Sequence, residues 1–128
     1  NGKVARVYLR DAWSYRPGSS WKRLADLPKP SVAAPSPAPV LDSKFFIVGG
    51  DDGSLAGFHP IEKHPGFPKS ILIYDARSNA WSTGGEAPVA RATLPTTLWQ
   101  DRWVLPSGEA RPGVRSPEVW AFQPAARP

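Results

Sequence analysis

One pattern occurs more than once in this chain, and an internal repeat restricts the possible folds more than any other sequence feature. Each copy is a short apolar strand, a polar turn and a second strand that begins with Trp. The copies are residues 11–15 followed by Trp21, residues 71–75 followed by Trp81, and residues 118–122, after which the sequence soon ends. Strands joined by short polar turns predict antiparallel hairpins.

A second repeated unit lies between these copies. Residues 44–50 form an apolar strand that ends in Gly49-Gly50, and residues 102–108 are its counterpart. Each is preceded by another short strand, at 37–40 and at 92–98. The repeat distance is 60 residues from Trp21 to Trp81 and 58 residues from Gly49 to Ser107. These units together predict four strands per repeat.

The ordered set resembles the kelch repeat, in which about 50 residues form a four-stranded blade. The longer distance here is explained by the 19-residue loop 51–69. The resemblance is carried by Gly49-Gly50, Tyr74-Asp75, Trp81, Pro88 and Arg91. Composition agrees, because 16 Pro and 11 Gly in 128 residues disfavour helices, while 41% hydrophobic residues are too many for a disordered chain.

The predicted fold class is all-β, a segment of a kelch-type β-propeller with antiparallel four-stranded blades. About two blades are expected within a single domain, 1–128: the end of one blade in 1–32, a complete blade in 33–84 and an incomplete last blade in 85–128. Propellers close with about four to eight blades. The remaining blades are therefore expected from a longer parent chain or from other chains.

Charge and composition bear on the partners. The net charge is +5, but the 16 Lys and Arg are scattered, so no nucleic-acid partner is expected. The absence of Cys excludes disulfides and thiolate metal sites, and the two His have no matched carboxylate spacing. No metal or other cofactor is predicted. No apolar run approaches the ~20 residues of a membrane span, so none is expected.

The most distinctive segment is 108–115, which reads Gly-Glu-Ala-Arg-Pro-Gly-Val-Arg and lies between two apolar strands. It is predicted to be an inter-strand loop at the rim of a blade. A Pro112-Gly113 turn would fold the segment back and bring Glu109 near Arg115. From the residues alone, a surface turn with a salt bridge is the favoured interpretation, and such a bridge is worth about 0–1 kcal/mol.

The same segment resembles the glycine-glutamate, proline-glycine, arginine loop of the sialic acid mutarotases (N-acetylneuraminate epimerases), a family of kelch propellers. The resemblance implies that Glu109 and Arg115 are catalytic. Residues 64–70 resemble the histidine, glycine and lysine segment of that family, and Arg91 lies where the family also has an arginine. Accordingly Arg91, His64 and Arg111 are expected to bind substrate, although packing within its loop is the more favoured role for His64.

The resemblance implies an acidic sugar ligand, and an isomerase that interconverts anomers if the protein is an enzyme. Opening and reclosing a hemiketal needs a base, which Glu109 would supply, while Arg115 would grip the sugar carboxylate. A periplasmic or secreted location is also implied. The alternative is a kelch scaffold that binds a protein or a polysaccharide without catalysis, because fold alone does not fix function.

Overall fold

A computed structural model of the chain describes residues 5–125. The first four residues of the predicted 1–32 segment and the last three of 85–128 therefore lie outside the described residues. The described elements are, in chain order, β1 (Trp13–Ser14), β2 (Lys22–Arg23), β3 (Val40–Leu41), β4 (Lys44–Val48), a 3-10 helix (Ile61–Lys63), β5 (Ser70–Asp75), β6 (Ala80–Glu86), β7 (Thr97–Trp99), β8 (Arg102–Pro106), β9 (Glu109–Arg111), β10 (Val114–Arg115) and β11 (Val119–Phe122).

One sheet has four antiparallel strands in the order β3-β4-β5-β6, each joined to the next along the chain. A second sheet has three strands in the order β7-β8-β11, which repeats the arrangement of β3-β4-β5. β1 and β2 form a two-stranded pair at the start of the described chain. The all-β prediction of antiparallel blades, one with four strands, is confirmed.

The innermost strands are shorter than the sequence pattern predicts. Strand β3 begins at Val40 because Pro37 and Pro39 have no N–H to donate to a ladder. In the next repeat, Pro95 has the same effect, and β7 begins only at Thr97. The segments before these strands meet instead, since Ser36 and Pro95 form a parallel bridge between the two sheets.

The hydrophobic core lies between the four-stranded and three-stranded sheets. Alternate residues of β4, Phe46 and Val48, are buried there and meet Leu105 of β8. The Phe46 and Phe122 rings lie 5.5 Å apart, centre to centre. Two sheets that each bury one face against the other form a continuous core, as stacked repeats require.

The opposite face of the four-stranded sheet carries an aromatic row. Phe45 pairs with Tyr74, and Tyr74 pairs with Trp81 in the next strand. The Trp81 indole N–H donates to the Ala25 carbonyl at 2.8 Å, which joins this sheet to the segment after β2. The Trp81 side chain therefore joins the four-stranded sheet to the segment that follows the β1–β2 pair.

Candidate functional site

The segment 108–115 is more ordered than the predicted loop. It forms the two short antiparallel strands β9 and β10, joined by a turn at Pro112-Gly113. Gly113 has φ +75°, which a residue without Cβ adopts easily in a tight turn. The predicted Pro-Gly turn is present, and the structural difference is that the residues around it pair as a hairpin.

A β-bulge in this hairpin determines which side chains face each other. Val114 pairs with Arg111, but the next pair joins Arg115 to Glu109, so Ala110 is the extra residue. In a regular register Arg115 would lie opposite Ala110. Because directly opposed residues project to the same side of a strand pair, the bulge brings the predicted acid and arginine onto one face.

Glu109 and Arg115 form no ion pair within the described residues, so the salt-bridged surface turn is not what the structure contains. The backbone of Glu109 exchanges two hydrogen bonds with Ala92, at 2.8 and 3.0 Å, and its side chain is half-buried. The exposed Arg115 guanidinium donates through Nη2 to the Thr93 carbonyl at 3.4 Å. The backbone of Glu109 is thus fixed by hydrogen bonds, while the Arg115 guanidinium makes one long hydrogen bond.

Arg91 is buried and bonded to protein groups. Its Nη1 donates to the Ala90 carbonyl at 2.8 Å, and its Nη2 donates to the Ser116 hydroxyl at 3.1 Å and to the Glu118 carboxylate. Its Nε is buried with no partner among the described residues. Arg91 and Arg115 do not converge on one position where both could bind the same sugar carboxylate, because each guanidinium bonds to different protein groups.

Arg111 connects the hairpin to the loop 51–69. Its Nη1 donates to the Glu62 carbonyl at 2.8 Å. Nearby, a Cβ on Gly66 would lie 2.9 Å from the Ala110 carbonyl oxygen, so the loop backbone approaches the bulge as closely as a glycine permits. Arg111 therefore holds the loop against the hairpin.

His64 is packed inside the same loop. Its Nδ1 accepts the Gly66 N–H at 3.0 Å, which leaves the proton of the neutral imidazole on Nε2. The rings of Phe58 and Phe67 lie 5.4 and 6.1 Å from it, centre to centre. These contacts favour the packing role over a catalytic one.

Sequence reasoning missed Asp51 and Tyr8, which border a cleft between the loop and the hairpin turn. The Tyr8 hydroxyl donates to Asp51 Oδ2 at 3.0 Å. The pKa of Tyr8 is raised, first by this hydrogen bond and then by burial and the charge of Asp51. A signal for Asp51 was available, because it follows Gly49-Gly50 as Glu109 follows Ser107-Gly108.

Residues 5–125 contain no cluster of three or more His, Asp and Glu placed to hold a metal ion. In that same range, no helix has the length and apolar character needed to cross a bilayer.

Comparison with solved structures identifies the fold. The structure of YjhT, a β-propeller, matches with a TM-score of 0.67 and 22% identity, over 92% of this chain and 44% of that chain. The chain has the fold of a partial β-propeller. At this identity the structural match carries the fold alone.

Curated proteins with related sequences carry one name. The N-acetylneuraminate epimerase of Yersinia pestis (strain Pestoides F) is 34% identical over 55 residues, which cover 42% of this chain and 14% of that protein. The N-acetylneuraminate epimerase of Yersinia enterocolitica serotype O:8 is 24% identical over 137 residues, covering 88% of this chain and 35% of that protein. The chain thus resembles these epimerases and spans about a third of their length or less. No family model matches it.

Proposed function

We propose that this segment belongs to a propeller that binds an acidic sugar of the N-acetylneuraminate class and interconverts its anomers. The observation that carries the proposal is the bulged register of the hairpin, which sets Glu109 opposite Arg115. A carboxylate and a guanidinium on one face, without a mutual ion pair, supply the two groups that such a sugar needs. The names of the related proteins support the same ligand class.

In the proposed reaction, the Glu109 carboxylate removes the proton of the anomeric hydroxyl. The bond from the anomeric carbon to the ring oxygen breaks as the ketone forms, and the ring oxygen takes up a proton from water. Rotation about the adjacent carbon–carbon bond and the reverse steps close the other anomer, so atoms and charge balance. The Arg115 guanidinium binds the sugar carboxylate through paired N–H groups.

Arg91 has a positioning role in this proposal. Its hydrogen bonds to Ser116 and Glu118 hold the segment that directly follows Arg115, at the base of the hairpin. A second tie at the base is the Ser116 N–H, which donates to the Gly108 carbonyl at 3.0 Å. Catalytic groups held within a fraction of an ångström need such support from neighbouring side chains.

The proposal includes the rest of the ring and its location. The remaining blades come from a longer parent chain or from other chains, and the protein is periplasmic or secreted. Light scattering on the isolated 128-residue chain tests whether copies of this chain supply them. A compact particle of several chains indicates assembly from copies, and an unfolded or aggregated chain indicates that the missing blades lie in a longer parent or in a second, different chain.

The test follows anomer relaxation by proton NMR after a single crystalline anomer of N-acetylneuraminate is dissolved with the complete propeller. The wild-type protein is expected to accelerate relaxation, and Glu109→Gln to remove about 100-fold of that acceleration, the lower range for general-base catalysis. Glu86→Gln, an exposed acid at the end of β6, is the matched control and should leave the rate unchanged.

If Glu109→Gln keeps the full accelerated rate, Glu109 is not the base. If the sugar binds and relaxes at the spontaneous rate, the propeller is a scaffold without catalysis, which is the alternative that the sequence left open.

A further inference from the structure

Asp51 occupies the position in the four-stranded blade that Glu109 occupies in the next. Each acid follows two residues with positive φ: Gly49-Gly50 at 73° and 84°, Ser107-Gly108 at 60° and 89°. Each also exchanges two backbone hydrogen bonds with the segment that enters its blade, Asp51 with Val32 at 2.8 Å and Glu109 with Ala92. The same backbone conformation and hydrogen bonds therefore place an acidic residue at the same rim in both blades.

The two acids differ in what their side chains meet. Asp51 Oδ2 accepts the Tyr8 hydroxyl, and Oδ1 accepts the Gly53 N–H at 2.9 Å. The carboxylate is thus fixed in orientation, and the phenol oxygen keeps its lone pairs available as acceptors. A fixed carboxylate beside a hydroxyl provides several acceptors close together, which is what vicinal sugar hydroxyls need.

These groups border the cleft between the loop 51–69 and the hairpin turn. Its volume is about 540 Å³, within the range of about 300–1,000 Å³ that small-molecule sites occupy. The apolar walls come from Leu55, Phe58, Ile61 and Pro112, and the polar groups from Arg6, Tyr8, Asp51, His59 and His64. Apolar walls with a few convergent polar groups suit a sugar ring, which has an apolar C–H face and a polar rim.

The charges favour a neutral ligand. Asp51 would repel a sugar carboxylate, and among residues 5–125 the guanidinium that borders the cleft, that of Arg6, offsets this charge. The hairpin differs, because the exposed Arg115 there attracts an anion. A tyrosine hydroxyl is protonated near neutral pH, and the raised pKa of Tyr8 leaves it so, which keeps the hydroxyl a donor to Asp51.

We propose that the cleft formed by Asp51, Tyr8 and Phe58 is a second sugar-binding site, which takes a neutral pyranose through hydroxyl contacts to Asp51 and a ring-face contact to Phe58. The cleft borders the same hairpin through Pro112, but neither Glu109 nor Arg115 lines it. A propeller with both sites would recognise an acidic sugar and a neutral one at the same rim.

The experiment titrates methyl galactopyranoside, a neutral sugar with a locked ring, into the full chain. The chain has two His, and both border the cleft, so the imidazole proton signals of His59 and His64 report its occupancy. Binding is expected to shift these signals. Asp51→Asn and Tyr8→Phe should each weaken binding about tenfold, the loss expected for one charge-assisted hydrogen bond.

Asp52→Asn is the matched control, because Asp52 is adjacent but bonds to Ser54 and Lys29. It should leave the affinity unchanged, as should Glu109→Gln. Far-ultraviolet circular dichroism checks that each variant folds, and Tyr8→Phe keeps the ring that packs on Gly53.

The proposal is overturned if the galactoside shifts neither imidazole signal at millimolar concentration, or if Asp51→Asn and Tyr8→Phe bind as tightly as wild type. It is also overturned if N-acetylneuraminate competes for the cleft with higher affinity. Failure here leaves the anomer assay intact, because that assay reads Glu109 and the acidic sugar. Failure of the anomer assay leaves the galactoside titration intact for the same reason.

Discussion

Gly49 and Ser107 occupy the same position in successive blades. Adding a side chain at Gly49 and removing the side chain of Ser107 are expected to change the stability of the fold in opposite directions. Both have left-handed backbones, with φ 73° and 60°. A residue with a Cβ in that region costs about 1–2 kcal/mol. The chain accepts this cost at Ser107 and avoids it at Gly49.

The contacts of Gly49 add to the cost of a side chain there. A Cβ at this position would lie 2.8 Å from the carbonyl oxygen of Arg91, a backbone atom whose position is fixed because it accepts the Gly50 N–H. Overpacking of this kind costs about 1–3 kcal/mol. The reduced freedom of the unfolded chain returns about 0.4–1 kcal/mol. Gly49→Ala should therefore destabilise the fold by about 1–5 kcal/mol.

Ser107→Gly is the matched counterpart. It releases about 1–2 kcal/mol of backbone strain and loses about 0.4–1 kcal/mol to the greater freedom of the unfolded chain, a net gain of up to about 1.6 kcal/mol. Urea unfolding followed by tryptophan fluorescence measures both variants, with the midpoint expected to fall for Gly49→Ala and rise for Ser107→Gly. Shifts in the same direction, or a Gly49→Ala change under 0.5 kcal/mol, would refute the structural equivalence of the two positions.

Two further predictions concern stability. Desolvation raises the pKa of Asp52, but hydrogen bonds from Ser54 and the charge of Lys29 outweigh it, so the pKa is lowered. The resulting stability is present above the ordinary aspartate pKa and is lost as pH falls through the lowered pKa of the folded state. Asp52→Asn should therefore be less stable than wild type at pH 6 in urea titrations, and the difference should shrink as the pH is lowered; a constant difference would contradict this. Trp81→Phe removes the hydrogen bond from the indole N–H to the Ala25 carbonyl and should cost about 1–2 kcal/mol of stability. Amide exchange in residues 22–27, measured by mass spectrometry, should become faster. Unchanged exchange there would contradict a stabilising role for this contact.

The repeated strands could be predicted from the sequence because each rests on local alternation. Residues 71–75 and 118–122 are predicted as strands; the first range lies within β5, and the second contains β11, which begins at Val119. The predictions of β3 and β7 begin too early in the chain, because they rest on apolar character alone. Prolines at 37, 39 and 95 have no backbone N–H, so these positions cannot donate to a neighbouring strand.

The site was less predictable because its geometry depends on contacts between distant residues. The turn at Pro112-Gly113 follows from residue type, whereas the bulge at Ala110 depends on how the hairpin packs against the loop near Gly66. The burial of Arg91 depends on Glu118, 27 residues away. No local pattern encodes such a pairing.

The most direct test of the account is the structure of the complete propeller with N-acetylneuraminate bound. The account predicts the sugar on the face of the β9–β10 hairpin, with its carboxylate against Arg115 and its anomeric hydroxyl within about 3 Å of the Glu109 carboxylate. An ordered sugar that contacts neither Glu109 nor Arg115 would contradict it.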